Sequence, residues 1–312
     1  MEGTIILMSL KVLVGAISYN TKAFIELYMQ TLQEAMYDCR TNNDVFLEGI
    51  VIDNGSTDGT DIEALDDKYG HLNIHFEKNE DNLGISPGWN QIIKHGFSDD
   101  GQPLFDYYLI CNNDIYWTKK SLTNMVRCLK QDVKKEYGWI SFFMNDYKEP
   151  DKTGVMETVD FERLYWSMRP HADSVDGVDH LEELIDTAYG PWKGIENFAE
   201  LLENKYGIVL KEMHPKAPCF ALSKECIKKV GLFDEYNCPI GIHEDADYCK
   251  RIKEYSNLKF AAAYGAYVHH FSMMTRTRNE LDDAGGWVNE REKAYKEKWH
   301  GKIKLDSKGV VI

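Results

Sequence analysis

The first 130 residues alternate short apolar runs with amphipathic segments, and this alternation most restricts the possible folds. Four runs are rich in β-branched and aromatic residues and too short for stable helices, so they predict buried strands: 11–18, 45–53, 74–77 and 107–111. From Phe24 to Met36, apolar side chains recur at three- and four-residue intervals, which predicts an intervening helix. The alternation predicts an α/β fold with a single, mostly parallel, twisted sheet flanked by helices, whose ligands bind beyond the carboxyl ends of the strands.

Local signals predict the helix boundaries and the later elements. Ser86 and Pro87 are typical of an N-cap and first position, here for a helix over 88–97, and Ser121 is predicted to cap another. Residues 146–215 mix aromatic residues, prolines and acidic runs, which we interpret as an insertion with short helices. The elements predicted after it are strands at 219–223, 259–263 and 266–271, and helices at 224–230, 244–255 and 281–299.

Composition excludes several classes of protein. No apolar run approaches the roughly 18 residues of a membrane span, and Ile5 to Leu10 is too short and lacks a cleavage pattern for a signal peptide. Seven scattered cysteines without a Cys-X-X-Cys pair argue against a disulfide framework or a zinc ribbon. We therefore expect a cytoplasmic protein without a transmembrane segment. The net charge of -15 opposes nonspecific binding to nucleic acid or anionic membranes.

Two polar clusters follow predicted strands directly. Residues 53–60 (DNGSTDGT) are typical of a tight turn, but Asp53 at a strand end could also accept hydrogen bonds from a nucleobase or a ribose. Asn112, Asn113 and Asp114 could cap the following turn, yet a carboxylate flanked by amide oxygens also suits a hard divalent cation bound to a diphosphate. Two such strand ends in one sheet favour a shared ligand site.

Two further clusters lie in the second half of the chain. Residues 243–247 (HEDAD) begin a predicted helix, where acidic side chains complement the helix dipole or could supply a general base. His269 and His270 follow an apolar strand, and such pairs are usually structural. Because adjacent strand residues point to opposite faces, at most one histidine can face the same metal as Asp114, and we favour His269.

Six motifs occur together in one order along the chain. They are VIDNGSTDGT (51–60), NLGISPGWNQII (82–93), LICNND (109–114), GLFDE (231–235), HEDADYCKRI (243–252) and VHHFSMM (268–274). This set resembles the family 2 glycosyltransferases of the GT-A fold, in particular rhamnosyltransferase-like members. The resemblance implies a Rossmann-like nucleotide-binding half followed by an acceptor half.

The resemblance also implies a role for individual residues. Asp114 would hold Mn²⁺ or Mg²⁺ with His269, Asp245 would be the catalytic base, and Glu244 would lie beside it on the acceptor side. The implied donor-binding residues are Ser18, Tyr19, Asn20, Asp53, Asn82, Gly84, Trp89, Asn90, Asn112 and Asn113. Asn112 departs from the family pattern, because it stands where the first aspartate of Asp-X-Asp is expected. Asp114 would therefore carry most of the charge that the protein offers the metal.

The resulting prediction is a metal-dependent inverting glycosyltransferase using a UDP- or dTDP-sugar and a hydroxyl acceptor, most simply a saccharide. The predicted organisation is a nucleotide-sugar-binding half (1–125), an acceptor-related insertion (126–215), a catalytic and acceptor half (216–280), and a C-terminal helix and tail (281–312).

Two alternative functions stay open. One is a non-catalytic nucleotide-sugar-binding protein. The other is sugar transfer onto a hydroxymethylated DNA base, for which Arg276, Arg278 and the lysines between 293 and 308 would supply phosphate contacts. The sequence does not indicate an oligomeric state.

Overall fold

The computed structural model describes residues 9–145, 177–238, 243–271 and 287–300. In these ranges, nine strands form one sheet in the order β3-β2-β1-β4-β8-β6-β9-β5, with β7 pairing β9 as well. The strands are β1 (Leu10–Ser18), β2 (Val45–Asp53), β3 (Ile74–Lys78), β4 (Tyr107–Asn112), β5 (Ile115–Trp117), β6 (Tyr137–Met144), β7 (Val209–Glu212), β8 (Cys219–Ser223) and β9 (Lys259–His270).

Helices cover both faces of this sheet. They are α1 (Lys22–Asn42), α2 (Ile62–Tyr69), α3 (Ile85–His95), α4 (Ser121–Gln131), α5 (Val178–Tyr189), α6 (Ile195–Tyr206), α7 (Lys224–Val230), α8 (Glu244–Tyr255) and α9 (Trp287–Trp299). One core joins the sheet to α1, α4, α5 and α6, and a second joins it to α3, α7 and α8. The predicted α/β class is confirmed. Within the described ranges, every helix is too short or too polar to cross a lipid bilayer.

The sheet is mixed rather than mostly parallel. The pairings of β1, β2, β3 and β4 are parallel, as is that of β6 with β9, but β8 runs antiparallel to both β4 and β6, and β5 and β7 run antiparallel to β9. The alternation ends after α4, so the rule that links strand–helix repeats to parallel pairing no longer applies. The predicted strands at 259–263 and 266–271 form one strand, β9, which passes through Gly265 at φ +80°.

Two predicted caps are wrong because the hydroxyl groups bond elsewhere. Helix α3 begins at Ile85 after Gly84, whose φ of 95° suits glycine, and Ser86 Oγ donates to the carbonyl of Cys238. Ser121 is the first residue of α4, and its Oγ donates to the Thr118 carbonyl at 2.6 Å. Both serines lie inside their helices.

The segment predicted as an insertion contributes two strands to the sheet. Strand β6 lies between β8 and β9, and β7 pairs β9, although both belong to the range 126–215. Helices α5 and α6 pack into the same core as α1. Residues 146–176 lie outside the described ranges. The part of 126–215 that the structure describes therefore completes the fold.

The order of the first four strands creates a crevice. Strand β1 lies between β2 and β4, and the helices that follow β1 and β3 lie on opposite faces. When the loops after two neighbouring parallel strands run to opposite faces of the sheet, a gap opens between them at the carboxyl ends of the strands. Ligands of such sheets bind in this gap. Ser18 pairs with Asp53, and Ile17 pairs with Asn112, so these ends lie side by side.

Candidate active site

Asp53 is a fully buried carboxylate at the end of β2. Its Oδ1 accepts a hydrogen bond from the Ser56 amide at 3.1 Å, and Lys78 Nζ lies 3.2 Å from Oδ2. Lys78 is the register partner of Asp53 on β3, so the sheet itself forms the ion pair. A buried carboxylate needs such compensation. Lys78 was missed by the sequence analysis, although its position at the end of a predicted strand was a usable signal.

Asn54 joins the two loops beside Asp53. Its Nδ2 donates to Asn82 Oδ1 at 2.8 Å and to the Gly84 carbonyl at 3.2 Å. Its Oδ1 accepts from Asn79 Nδ2 at 2.9 Å and from the Leu83 amide at 3.1 Å. One buried side chain thus fixes the loop after β3 to the loop after β2. Asn82 and Gly84 lie in this network.

The end of β1 joins the same crevice. Asn20 has φ 50°, its amide donates to Ser56 Oγ at 2.9 Å, and its Oδ1 accepts from the Thr57 amide at 2.7 Å. On the other side, Asn113 Nδ2 donates to Ser18 Oγ at 3.0 Å. The structure therefore brings together Ser18, Asn20, Asp53, Asn82, Gly84 and Asn113. Tyr19 and Asn112, both partly exposed, lie at the same strand ends.

His270, and not the predicted His269, lies beside Asp114. His270 Nε2 is 3.3 Å from Asp114 Oδ1, and strand pairing sets Ile115 opposite His270. His269 points to the other face of β9, where its Nδ1 is 2.7 Å from the hydroxyl of Tyr189 and its ring packs against Phe271. The alternation of side chains along a strand explains the difference. The alternation correctly predicted that the two histidines point to opposite faces of the strand, but it could not indicate which one faces Asp114.

Trp89 and Asn90 are packing residues. Trp89 is 1% exposed and lies edge-on to Phe220 and Phe233. Asn90 Nδ2 donates to the Phe233 carbonyl at 3.0 Å, and its Oδ1 accepts from the Phe233 amide at 2.8 Å. Both side chains thus fasten α3 to the GLFDE segment. This placement does not support the expectation that they contact the donor sugar.

Glu244 and Asp245 begin α8. Glu244 is buried, and Asp245 is partly exposed on the wall of a cavity of about 310 Å³ that His214, Lys250 and Tyr295 also line. Asp245 Oδ1 accepts a hydrogen bond from the Ala246 amide at 2.7 Å. The described chain before residues 239–242 contacts the first turn of α3, where Ser86 donates a hydrogen bond to the Cys238 carbonyl.

A buried ion cluster supports α8 from below. We call Asp234, Asp247, Arg251 and Lys298 the charged cluster. Lys298 Nζ lies 2.6 Å from both Asp234 Oδ2 and Asp247 Oδ1, and Arg251 Nε lies 2.9 Å from Asp247 Oδ2. Burial alone would raise the pKa of Asp234, but the hydrogen bonds from Asn237 and Lys298 outweigh burial, and its pKa lies below the ordinary value. The lysines between 293 and 308 were considered only as possible phosphate contacts, and the burial of Lys298 in the charged cluster was not predicted.

Helix α9 also touches the beginning of α8. The ring of Tyr295 stacks on His243 with centroids 4.6 Å apart, and His243 has φ 65° as the residue that precedes α8. Trp299 Nε1 donates to Asp247 Oδ1 at 2.9 Å, and Lys250 lies over the Trp299 ring. The C-terminal helix therefore packs against the first turn of α8, which carries Glu244 and Asp245.

A crevice at the carboxyl ends of β1, β2 and β4, lined by two buried aspartates and amide side chains, suits a polar, phosphate-bearing ligand. The family model described as "Glycosyl transferase family 2" matches residues 17–172, which are 156 of the 312 residues. The chain belongs to this family. It is accordingly a glycosyltransferase, and the resemblance in the motifs is confirmed at this level. None of the curated protein sequences matches the chain.

Solved structures support the GT-A fold. The mannosyltransferase PcManGT from Pyrobaculum calidifontis, in complex with GDP-Man and Mn²⁺, is similar with a TM-score of 0.51 and 14% identity, over 96% of this chain and 78% of that one. GalNAc-T7 with UDP, GalNAc and Mn²⁺ is similar with a TM-score of 0.52 and 13% identity, over 93% of this chain and 55% of that one. At such identities the likeness concerns the fold.

Proposed function

We propose that this glycosyltransferase moves a sugar from a nucleotide diphosphate donor to a hydroxyl acceptor, with inversion at the anomeric carbon and with a divalent cation. The observation that carries the proposal is the convergence of Asp53 and the Asp114–His270 pair on the ends of adjacent strands around β1. The complexes of PcManGT and GalNAc-T7, which contain nucleotides and Mn²⁺, are in keeping with it.

Asp53 is proposed to bind the nucleoside part of the donor. Its carboxylate is fixed by Ser56 and Lys78, and the Asn54 network holds the neighbouring loops, so the site requires little rearrangement. Acceptor oxygens at this position suit the imide N–H of a pyrimidine or a ribose hydroxyl. UDP is the first choice and dTDP the second, and a rhamnosyl donor is one candidate sugar.

Asp114 and His270 fit a divalent cation. Asp114 Oδ1 is buried, accepts no hydrogen bond from the described part of the chain, and lies 3.3 Å from His270 Nε2. Two ligands at right angles around an ion with bonds of about 2.1 Å are about 3 Å apart. Mn²⁺ or Mg²⁺ bound here would neutralise diphosphate charge, and Asn112 could add an amide oxygen. Asp114 and His270 would hold the ion at the crevice.

Asp245 is proposed as the general base. In one displacement, its carboxylate accepts the proton of the acceptor hydroxyl while that oxygen bonds to the anomeric carbon. The bond from the anomeric carbon to the diphosphate oxygen breaks, and the nucleoside diphosphate leaves with its electron pair. Its partly exposed position on a cavity wall gives an acceptor access to the carboxylate.

The decisive variant is Asp245→Asn, which keeps the shape and removes the base. A screen of nucleotide sugars for thermal stabilisation, with and without Mn²⁺, first identifies the donor. We then expect turnover to fall by about 10² to 10⁴ while donor affinity is retained. Glu254→Gln, at the exposed end of the same helix, is the matched control. Turnover near that of the unmodified chain in Asp245→Asn would refute the role.

The metal assignment is tested by comparing neighbouring histidines. His270→Ala should weaken nucleoside diphosphate binding measured calorimetrically with Mn²⁺ and leave the metal-free affinity unchanged. His269→Ala should disturb the contact with Tyr189 and lower stability without this metal-specific loss. Equal losses with and without Mn²⁺ in His270→Ala would contradict the assignment.

The two alternatives make different predictions. A non-catalytic binder would bind the donor and never hydrolyse it, so slow donor hydrolysis in water distinguishes the enzyme. Transfer to DNA requires basic residues at the C-terminus, but Lys298 is fully buried between carboxylates and is not offered to phosphates. Arg276, Arg278, Lys302, Lys304 and Lys308 lie outside the described residues. Lys293 and Lys296 are exposed, so burial removes one lysine from the basic region that transfer to DNA would use.

A further inference from the structure

A second group of potential metal ligands lies away from the crevice. We call Glu48, His75 and His95 the edge triad. Glu48 lies within β2, His75 on the edge strand β3, and His95 is the last residue of α3. Glu48 and Asp53 are five residues apart on one strand, so they point to opposite faces and lie about 16 Å apart along it. The edge triad is therefore separate from the proposed donor site.

The ligand atoms of the edge triad converge on one point. His95 Nε2 is 3.1 Å and His75 Nε2 is 3.9 Å from Glu48 Oε1, and all three atoms lie within 4.8 Å of one another. Tetrahedral ligands with bonds of about 2.0 to 2.1 Å are about 3.3 to 3.4 Å apart. A small movement of the exposed His75 side chain would bring the three atoms to that spacing.

A fourth side chain is placed to orient His95. Glu77 Oε1 lies 3.8 Å from Nδ1 of His95, the nitrogen that does not face Glu48. Metal-bound histidines usually direct their second nitrogen to a carboxylate or carbonyl, which fixes the ring and raises its basicity. The register of β3 puts Glu77 and His75 on the same face of the sheet. A small rotation of the half-exposed Glu77 side chain would bring its carboxylate to hydrogen-bond distance of His95 Nδ1.

We propose that Glu48, His75 and His95 bind Zn²⁺, with Glu77 orienting His95 and water in the open position. Two imidazoles and one carboxylate suit Zn²⁺ better than Mg²⁺ or Mn²⁺, which prefer oxygen ligands. The ion would connect the C-terminal end of α3 to the two outermost strands of the nucleotide-binding half. This site is independent of the proposed function.

The experiment uses the full chain carrying Asp114→Ala, so that the proposed catalytic metal site does not contribute. After chelator treatment, Zn²⁺ is titrated calorimetrically in excess Mg²⁺, and Co²⁺ is used as a spectroscopic probe of tetrahedral geometry. We expect one Zn²⁺ equivalent that raises the melting temperature. His75→Asn and His95→Gln should remove that equivalent and the Co²⁺ absorption, whereas His71→Gln, an exposed histidine beside β3, should not.

If His95→Gln does not fold, Glu77→Gln tests the Zn²⁺ site instead. Glu77 is half exposed, so its substitution should leave the fold intact. Its Zn²⁺ affinity should fall about 10- to 100-fold with the stoichiometry retained. Unchanged affinity in both Glu77→Gln and His75→Asn would overturn the proposal and leave the cluster as a set of ion pairs. Loss of the equivalent in His71→Gln as well would also overturn it.

Discussion

The crevice around β1 and the beginning of α8 both present carboxylates, but different contacts hold them. At the crevice, Asp53 is surrounded by a network of Asn and Ser side chains, and Asn54 makes four hydrogen bonds to the loop after β3. At α8, the support is the charged cluster, in which Lys298 reaches from the C-terminal helix to Asp234 and Asp247. The loops of the crevice are joined by neutral hydrogen bonds, with one ion pair between Asp53 and the half-exposed Lys78 beside them, whereas the support of α8 consists of buried charges.

This difference predicts how much stability each region loses when one supporting side chain is removed. Neutral hydrogen bonds contribute about 0.5 to 1.5 kcal/mol each, so loss of one partner is partly absorbed by the others. A buried charge that loses its partner remains in a medium of low polarity, and the cost is several times larger. Removal of a single residue should therefore affect the α8 region more than the crevice.

The largest effect is expected for Lys298→Ala. The substitution leaves Asp234 and Asp247 buried without their shared cation, although Arg251 and Asn237 remain. Denaturant unfolding should show a loss of about 3 to 5 kcal/mol in the free energy of unfolding. Because α9 clamps the start of α8, turnover of the remaining folded protein should also fall more than its donor affinity.

Two variants separate charge from other effects. Lys293→Ala removes an exposed lysine of the same helix and should change stability by less than about 0.5 kcal/mol. Lys298→Met keeps the apolar stem and should still lose most of the stability that Lys298→Ala loses. A loss below about 1 kcal/mol in both Lys298 variants would remove the distinction between the two regions.

The sequence predicted the crevice better than the support of α8 for a physical reason. Asp53 and Asp114 follow apolar strands, and strand ends in a parallel sheet meet by topology alone, so local patterns carry the information. The contacts of Lys298 with Asp234 and Asp247 join residues 64 and 51 positions apart, and no local pattern separates it from the exposed Lys293. The sequence likewise could not indicate which of His269 and His270 lies beside Asp114, because that depends on the register of β9 with β5.

An intermediate effect is expected for Asn54→Ala. The substitution leaves the Leu83 amide and the Asn79 and Asn82 side chains without their common partner, and water can replace only some of these contacts. The free energy of unfolding should fall by about 1 to 3 kcal/mol, and nucleoside diphosphate affinity should fall with it. Asn197→Ala removes an exposed asparagine with one hydrogen bond and is the control. A loss equal to that of Lys298→Ala would show that the two supports are alike.

The smallest expected effect is on the pH dependence of stability, through the protonation of Asp234 in the charged cluster. The pKa of Asp234 is below its ordinary value in the folded protein, because the hydrogen bonds from Asn237 and Lys298 outweigh burial. The ionised form is therefore favoured by folding, and its contribution to stability is complete above the unfolded pKa of about 3.9 and is lost as the pH falls through the folded value. Unfolding measured between about pH 5 and 2 should show a shallower decline in Asp234→Asn than in the unmodified chain, with slopes differing by at most about 1.4 kcal/mol per pH unit. Asp99→Asn, in an exposed turn, should leave the slope unchanged. Identical slopes in all three proteins would mean that Lys298 confers no preference for the ionised carboxylate, and the contrast between charged and neutral support would then rest on Asp247 alone.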